Sequence, residues 1–299
     1  MDISIIIVNY NVKDYIISCI ESIYKHTKAG VSFEIIVIDN NSTDGSIDDL
    51  KKKFSEIKLI LNQTNEGFSK GVNLGVKYAS GKFLLILNPD TLLIEDSLSK
   101  LFFEAKKLSG FGAIGPKIVD ANGRAQNSFW MLPTILNTFL AIFHLDFLNI
   151  KKNYSNKKFY NITQVESISG CAFFTTKDVY LSLNGFNNDL FWMEDIDLCL
   201  RMKKIGLKVF YSPATKLIHY VSQSAKTNYK IAVSNQLFSK YKYFKIHTNK
   251  LKSLIIFFFI LNHILIKLVI LSLISPFSKN HRKKLAAYFF TLFSIKKVF

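Results

Sequence analysis

Acidic and amide side chains stand directly after apolar runs of this sequence and at the start of one amphipathic run. Asp39 ends the run FEIIVID, and Asp90 closes the triplet Asn88-Pro89-Asp90 after KFLLIL. Glu194 and Asp195 open EDIDLCLRMKKI. Carboxylate and amide oxygens are the ligands that hard divalent cations prefer, and a carboxylate can also accept a proton from a hydroxyl group. These side chains are therefore candidates for a polar ligand-binding site.

The apolar runs that precede these residues have the length and composition of buried strands. Segments 4–9, 33–39 and 82–87 are continuous and rich in β-branched or leucine residues, and 58–61 is a shorter run. Helical spacing of apolar residues predicts helices at 13–26, 46–53 and 69–79. Repeated strand–helix units predict a parallel, doubly wound α/β sheet. Ligands bind outside the carboxyl ends of such strands, so Asn9-Tyr10-Asn11, Asp39-Asn40-Asn41 and Asn88-Pro89-Asp90 are expected to converge.

Several classes of nucleotide-binding protein are disfavoured by the motifs that the sequence lacks. No GxGxxG follows the first strand, and the sequence has no GxxxxGK[ST] phosphate-binding loop. A nucleotidyltransferase is disfavoured because no loop rich in Gly, Arg and Lys follows the first strand. The three cysteines, Cys19, Cys171 and Cys199, have no CxxC spacing, which predicts a reducing compartment without a disulfide framework.

Positive charge is concentrated in the last third of the chain. Residues 198–299 contain 19 Lys and Arg and no acidic residue, whereas residues 1–197 contain 20 Lys and Arg and 22 acidic residues. Basic clusters flank an apolar run at 254–274 that is long enough to span a membrane and contains one charge, Lys267. Nucleic acid, an anionic membrane surface and a buried core helix are the alternatives. The aromatic and apolar neighbours favour a membrane surface over nucleic acid.

The chain is expected to consist of a catalytic α/β domain at 1–245 and a basic, apolar helical segment at 246–299 that associates with the membrane. The first apolar run, at 3–8, has strand length and no signal-peptide pattern, which predicts a location at the cytoplasmic face of the cell membrane, peripheral or single-pass. The Lys- and Asn-rich stretch at 149–158 is predicted to be a loop or flap.

Four groups of motifs within residues 3–245 resemble family 2 glycosyltransferases of the GT-A fold, especially the rhamnosyltransferase-like branch. In order they are SIIIVNYN, then IIVIDNNSTDGS, then NEGFSKGVNLGVKYASGKFLLILNPDT, and finally SGCAFF, NGF and FWMEDIDLCLRMKKIG. The resemblance implies a Rossmann-like, mostly parallel sheet. It also implies inverting transfer of a hexose or deoxyhexose, such as rhamnose, from a dTDP- or UDP-sugar to a hydroxyl of a lipid-linked glycan in cell-surface polysaccharide synthesis. A catalytically inactive, membrane-bound protein that binds nucleotide sugars is the alternative.

The resemblance assigns roles to individual residues. A divalent metal, Mg²⁺ or Mn²⁺, is implied at Asp90, where Asn88 replaces the usual first aspartate. His219, which follows a strand predicted at 208–211, is the candidate for a further metal ligand, and a packed core histidine is the alternative. Asp195 is implied as the general base that deprotonates the acceptor hydroxyl, with Glu194 supporting it. Contacts with the nucleotide sugar are implied for Val8, Tyr10, Asp39, Asp44, Asn65, Gly67, Asn73 and Asn88.

Most of these acidic residues also have a structural interpretation. Asp39 at a strand end can cap a turn, and Asp44 can cap the helix that follows it. Asn-Pro-Asp is itself a turn sequence. Acids in the first turn of a helix interact favourably with its dipole, and Asp197 is assigned that role together with an i,i+4 pair to Arg201.

Overall fold

The computed structural model describes residues 1–28, 30–145, 159–220 and 229–295. Among them, one compact unit comprises residues up to 132, 159–188 and 194–220, and a second comprises 133–145, 189–193 and 229–295. The stretch 149–158, predicted to be a loop or flap, lies outside the described residues.

The helices and strands follow one another along the chain in an alternating order that continues to β4. The elements are β1 (Ile3–Asn9), α1 (Lys13–His26), β2 (Phe33–Asp39), α2 (Ser46–Lys53), β3 (Lys58–Leu61), α3 (Phe68–Tyr78), β4 (Phe83–Leu87), β5 (Thr91–Leu93), α4 (Ser97–Lys107), β6 (Phe111–Val119), β7 (Phe129–Trp130), α5 (Ile135–Ile142), β8 (Thr163–Val165), β9 (Ser167–Ile168), β10 (Ala172–Thr176), α6 (Lys177–Ser182), α7 (Glu194–Lys204), β11 (Lys208–His219), α8 (Tyr229–His247), α9 (Lys250–Ile274) and α10 (Lys279–Ser294).

Nine of the described strands form one sheet in the first unit. Its order is β3-β2-β1-β4-β10-β6-β11-β5, and β8 also pairs with β11. The strands β3, β2, β1 and β4 are parallel, as are β6 and β11. The strand β10 runs antiparallel to β4 and β6, and β5 and β8 run antiparallel to β11. The predicted mostly parallel sheet is confirmed, and its antiparallel strands lie in the half that sequence periodicity did not define.

Helices cover both faces of this sheet because successive residues of a buried strand point to opposite sides. Ile5 of β1 belongs to the apolar cluster that includes Ile20 of α1 and Leu101 of α4. Ile6, the next residue, belongs to the opposite cluster with Val76 of α3. This two-sided burial explains why β1 is apolar throughout rather than alternating.

Glu34 joins β1, β2 and the turn before β4 through one carboxylate. Its Oε1 accepts hydrogen bonds from Ser4 Oγ at 2.6 Å and from the Ser80 backbone N–H at 2.7 Å. Its Oε2 lies 2.6 Å from Lys58 Nζ. Burial alone would raise the pKa of Glu34, but these hydrogen bonds outweigh it and lower the pKa to about 2.

One predicted boundary is wrong. The sequence predicted a strand at 208–211 with His219 after it, whereas β11 continues to His219 itself. The register against β6 shifts between Ser212 and Lys216, around Pro213, which interrupts the apolar pattern that defines a strand. Pairing of Leu217–His219 with β5 restores the strand beyond this irregularity.

The second unit is helical, and α9 packs within it against α5, α8 and α10. The helix α9 is long and apolar enough to cross a membrane by length and composition alone. One of its faces is buried through residues such as Ile256, Ile260 and Ile264. Its opposite face exposes large apolar side chains, including Val269 and Leu273, which are 64% and 70% exposed.

Candidate active site

The segment around Asp90 follows β4 and is held by two segments that are distant in sequence. The Asn88 backbone N–H donates to the Cys171 carbonyl at 2.9 Å. The Tyr220 backbone N–H donates to the Asp90 carbonyl at 2.9 Å. Since β5 begins at Thr91 and pairs with the end of β11, the backbone around Asp90 and His219 is fixed side by side.

The side chains of Asn88, Asp90 and His219 meet at this point. His219 Nε2 lies 3.3 Å from Asp90 Oδ1 and 3.4 Å from Asn88 Nδ2. The His219 carbonyl accepts from Gln126 Nε2 at 2.9 Å, which helps to hold the end of β11. The structure therefore brings together the three residues that the sequence analysis grouped around a metal.

A divalent cation fits this donor set. Two ligands placed ~2.1 Å from one ion at a right angle are ~3 Å apart, close to the Asp90–His219 spacing. Carboxylate and imidazole both ligate Mn²⁺ and related ions, and an amide can offer its oxygen after a flip. Within the described residues, no group of three or more His, Cys, Asp or Glu could hold a metal. The protein donors are therefore few, and a cation here would depend on phosphate oxygens for further ligands.

Asp195 lies in the first turn of α7 and is held in place by backbone donors. Its Oδ2 accepts from the Gly170 N–H at 2.7 Å, and its Oδ1 from the Ile196 N–H at 2.7 Å. A Cβ at Gly170 would lie 3.2 Å from Asp195 Oδ2, so glycine permits this close approach. Burial raises the pKa of Asp195 to about 6, against the opposing effect of the N–H donors. A carboxylate with such a pKa is a suitable proton acceptor near neutral pH.

The dipeptide Gly170-Cys171 connects Asp195 with the segment around Asp90. Gly170 contacts Asp195 through its N–H, while Cys171 accepts from Asn88 through its carbonyl. Burial raises the pKa of the Cys171 thiol to about 12, and the charges of Asp90 and Asp195 both add to that rise. The charges of both carboxylates thus raise the pKa of one buried thiol, which directly precedes β10. The motif SGCAFF is recognisable in the sequence, but the role of Gly170 is not, because its backbone N–H donor is not revealed by residue type.

The neighbours of Asp195 on α7 differ in their contacts. Glu194, predicted to support Asp195, is buried at the first position of the helix. Asp197 is buried and accepts from Arg201 Nε at 2.9 Å, which confirms the predicted i,i+4 pair. Arg201 also donates to the Leu183 carbonyl, so this pair fastens α7 to the preceding turn. Asp197 therefore has the structural role that the sequence analysis gave it.

Asp39 lies at the end of β2, where it is completely buried. Its Oδ1 accepts from Asn9 Nδ2 at 2.7 Å, and its Oδ2 accepts from the Ser42 N–H at 2.8 Å. Asn9 Nδ2 also lies 2.8 Å from Ser46 Oγ. The Ser42 contact is the turn-capping interaction considered for Asp39, and each carboxylate oxygen has a further lone pair. Asn9 was not assigned a role from sequence, although it directly follows the first strand's apolar run.

Three other residues implied in nucleotide-sugar binding lie near these strand ends. Val8 is buried and Tyr10 is partly exposed at the end of β1. Asp44 Oδ2 accepts from the Lys13 N–H at 2.8 Å, and Asp44 Oδ1 accepts from the Ser46 N–H at 3.1 Å. Asp44 thus caps the first turns of α1 and α2, in line with its structural interpretation.

The remaining implied residues lie around α3. Asn65 Oδ1 accepts from the Gly67 N–H at 3.0 Å and from Asn40 Nδ2 at 3.3 Å. Gly67 has a φ of 84°, which favours glycine at the turn that starts α3. Asn73 lies further along α3, where its Oδ1 accepts from Tyr180 Oη at 2.6 Å. The structure places Asn65 and Gly67 beside Asn40, and it places Asn73 in a contact between α3 and α6.

Comparison with known families gives two matches. The model described as glycosyl transferase family 2 matches residues 4–179. A second model, described as the N-terminal domain of galactosyltransferase, matches residues 153–224. Together the matched residues contain β1 to β11, including Asp39, Asp90 and Asp195.

Characterised relatives are similar over most of the chain. Rhamnosyltransferase WbbL of Escherichia coli is 26% identical over 248 residues, which cover 80% of this chain and 91% of the relative. The N-acetylglucosaminyl-diphospho-decaprenol L-rhamnosyltransferase of Mycobacterium tuberculosis is 21% identical over 216 residues, covering 64% of this chain and 67% of the relative.

A solved structure with the same fold is the mannosyltransferase PcManGT from Pyrobaculum calidifontis in complex with GDP-Man and Mn²⁺. It superposes with a TM-score of 0.57 at 14% identity, covering 99% of this chain and 86% of that chain. The family match, the sheet order and this likeness agree with one another. The chain belongs to glycosyltransferase family 2, and it is a hexosyltransferase of the GT-A fold that acts in glycan biosynthesis.

Proposed function

We propose that the enzyme transfers a hexose or deoxyhexose from a nucleotide-diphosphate sugar to a hydroxyl of a lipid-linked glycan, with inversion at the anomeric carbon. One observation carries this proposal: in the dipeptide Gly170-Cys171, the Gly170 N–H donates to Asp195, and the Cys171 carbonyl accepts from the N–H of Asn88, two residues before Asp90. This arrangement would hold a proton acceptor near a phosphate-binding centre, as in-line displacement of a nucleoside diphosphate requires.

Asp195 is proposed as the general base. Its raised pKa makes the carboxylate basic enough to accept the proton of the acceptor hydroxyl as the new glycosidic bond forms. The N–H donors of Gly170 and Ile196 hold both carboxylate oxygens, so the base is oriented before the acceptor arrives. Glu194 is proposed to support this orientation from the preceding helix position.

Asp90 and His219, with Asn88, are proposed to hold a Mg²⁺ or Mn²⁺ ion. When bound, this cation would neutralise charge on the leaving nucleoside diphosphate. Binding of GDP-Man and Mn²⁺ by the structurally similar mannosyltransferase supports the choice of ligand class. Asn88 adds no charge, so we expect weaker metal binding without nucleotide than a site with a second carboxylate would show.

The nucleoside is proposed to bind at the ends of β1 and β2. Tyr10 offers a partly exposed ring, and the loop that Asp39 organises through Ser42 provides backbone polar groups. Asn65 and Gly67 are proposed to contact the donor from the turn before α3. Val8, Asp44 and Asn73 are proposed to position these segments rather than to touch the donor, because Val8 is buried and Asp44 and Asn73 form hydrogen bonds with protein groups.

Two observations support a lipid-linked acceptor: the apolar surface of the second unit and the acceptor for which one relative is named. The Mycobacterium tuberculosis relative is named for a diphospho-decaprenol acceptor. The exposed apolar face of α9, flanked by lysines, suits an interfacial helix on an anionic leaflet. We therefore propose that the enzyme works at the cytoplasmic face of the cell membrane.

Product analysis tests this function directly. The protein in lipid vesicles is incubated with Mn²⁺, a panel of UDP-, dTDP- and GDP-sugars, and lipid-linked glycans extracted from membranes. Mass spectrometry should show addition of one hexose or deoxyhexose to the lipid-linked glycan from one donor, and NMR should show the inverted anomer. A protein that binds a nucleotide sugar but forms no product with any acceptor would support the alternative of an inactive binding protein.

A further inference from the structure

The helical second unit contains a polar cluster among apolar helices. His263 of α9 is 5% exposed, and its Nε2 shares a hydrogen bond with Tyr288 Oη of α10 at 3.0 Å. His144, just after α5, is exposed, and its ring centroid lies 6.0 Å from that of His263. Polar side chains between apolar helices lower stability unless their hydrogen bonds compensate. A cluster at such a position therefore calls for a function beyond packing.

The titratable groups that act on His263 are all basic residues. Lys240 of α8, His144 and Lys267 act electrostatically on His263, and Lys267 follows it by one turn on the same helix face. Lys240 is partly buried, and burial lowers the pKa of its amine. Within the described residues, neither lysine forms an ion pair with a carboxylate. The sequence explains this, because residues 198–299 contain no acidic residue.

The two lysines of this cluster repel one another without an acidic partner, and an anionic ligand would relieve that repulsion. Lysine amines, imidazole N–H groups and a tyrosine hydroxyl are all donors to phosphate oxygens. Here such donors come from the end of α5 and from α8, α9 and α10. The exposure of His144 leaves the cluster accessible at that edge.

The position of the cluster relative to the apolar face of α9 fits a lipid headgroup. The exposed residues Phe258 and Val269 lie on the side of α9 that faces away from His263. An interfacial helix buries its apolar face ~5–10 Å into the boundary between headgroups and acyl chains. Because a helix with its side chains is ~10 Å thick, groups on its opposite side lie at the depth of lipid phosphates.

We propose that the polar cluster of His144, Lys240, His263, Lys267 and Tyr288 binds the diphosphate group of the lipid-linked acceptor. A diphosphate carries more negative charge and more acceptor oxygens than the single phosphate of a phospholipid, which matches the several donors of the cluster. This inference rests on the proposed function, since that function supplies the lipid-linked acceptor. It adds the place where the lipid end of that acceptor is recognised.

Vesicle flotation with the full chain separates the two sources of phosphate. Phosphatidylcholine vesicles are doped either with a polyprenyl diphosphate or with phosphatidylglycerol at matched charge. Lys240→Gln and Tyr288→Phe should each weaken binding to the diphosphate vesicles, by about tenfold for the lysine variant, as expected for loss of a hydrogen bond to a charged group. Both should change binding to phosphatidylglycerol vesicles less than twofold. Lys252→Gln, an exposed lysine at the start of α9, is the matched control and should lower binding to both vesicles slightly and equally.

Two results would overturn the inference. Equal losses on both kinds of vesicle would show diffuse attraction by charge, and unchanged binding of both variants would show that the cluster only packs the helices. Tyr288→Phe removes a single oxygen, so it keeps the test decisive if Lys240→Gln fails to fold. Nucleotide binding, measured by calorimetry on the same variants, should be unchanged. If the wild type glycosylates a lipid-linked acceptor while the variants bind diphosphate vesicles normally, this inference fails and the proposed function stands.

Discussion

The pH dependence of sugar transfer should report the protonation of Asp195. General base catalysis requires the ionised carboxylate, so kcat/KM should rise with pH through the pKa of about 6 and level off above it. At pH 5 a carboxyl with that pKa is ~9% ionised, whereas one at the ordinary value of 3.8 would be ~94% ionised. We therefore expect kcat/KM at pH 5 to be about tenfold below its plateau at pH 8.

The assay is the release of nucleoside diphosphate between pH 5 and 8.5 at constant ionic strength, with circular dichroism at pH 5 to confirm that the protein stays folded. Protonation of metal ligands could also lower the rate, but such a loss would shrink when the Mn²⁺ concentration is raised tenfold. The loss of rate caused by protonation of Asp195 should not depend on the Mn²⁺ concentration. A rate that is flat from pH 5 to pH 7, or one that depends on pH only through the metal concentration, would refute the role given to Asp195.

Three further predictions concern the metal, the sheet and the membrane. Asp90→Asn and His219→Asn should each raise the Mn²⁺ concentration needed for nucleotide binding by at least tenfold, measured by calorimetry across a metal titration; unchanged metal dependence would remove these residues from the site. Glu34→Gln should lower the free energy of unfolding at pH 7 by about 1–2 kcal/mol in urea denaturation, because the folded pKa of about 2 lies below the reference value of 4.5 and solvent screens part of the interaction. In the wild type this contribution should be present above pH 4.5 and be lost as the pH falls towards 2, and a variant as stable as wild type at pH 7 would contradict it. Leu273→Asp should move the protein from the vesicle fraction to the soluble fraction in flotation, whereas Ile205→Asp, an exposed apolar control in the first unit, should not; equal behaviour of the two would exclude α9 as the attachment site.

Local sequence patterns predicted the first half of the sheet closely. The runs that became β1 and β2 are apolar throughout, so their burial on both faces could be inferred from residue type alone. The polar residues after β1, β2 and β4 could likewise be placed at one edge, because parallel strands end on the same side. The ion pair of Asp197 and Arg201 could also be predicted, since i,i+4 spacing on a helix brings the two side chains close together.

These local patterns could not predict contacts between segments that are distant in sequence. His219 reaches Asp90 only because β5, a strand of three residues, pairs with the end of β11 past an irregularity at Pro213. The Gly170 N–H that holds Asp195 is a backbone group, and residue type does not reveal where it points. Asp44 could be predicted to cap α2, but its bond to the Lys13 N–H of α1 depends on tertiary packing.

The central claim is that Asp195 removes the proton of the acceptor hydroxyl, and Asp195→Asn tests it most directly. Asp178→Asn, an exposed acid in the first turn of α6, is the matched control. Donor affinity by calorimetry and the single-turnover rate of transfer are measured for both variants. We predict that Asp195→Asn binds the donor within twofold of the wild type and transfers sugar ~10²–10⁴-fold more slowly, while Asp178→Asn matches the wild type. Transfer by Asp195→Asn at a rate near that of the wild type would contradict the account.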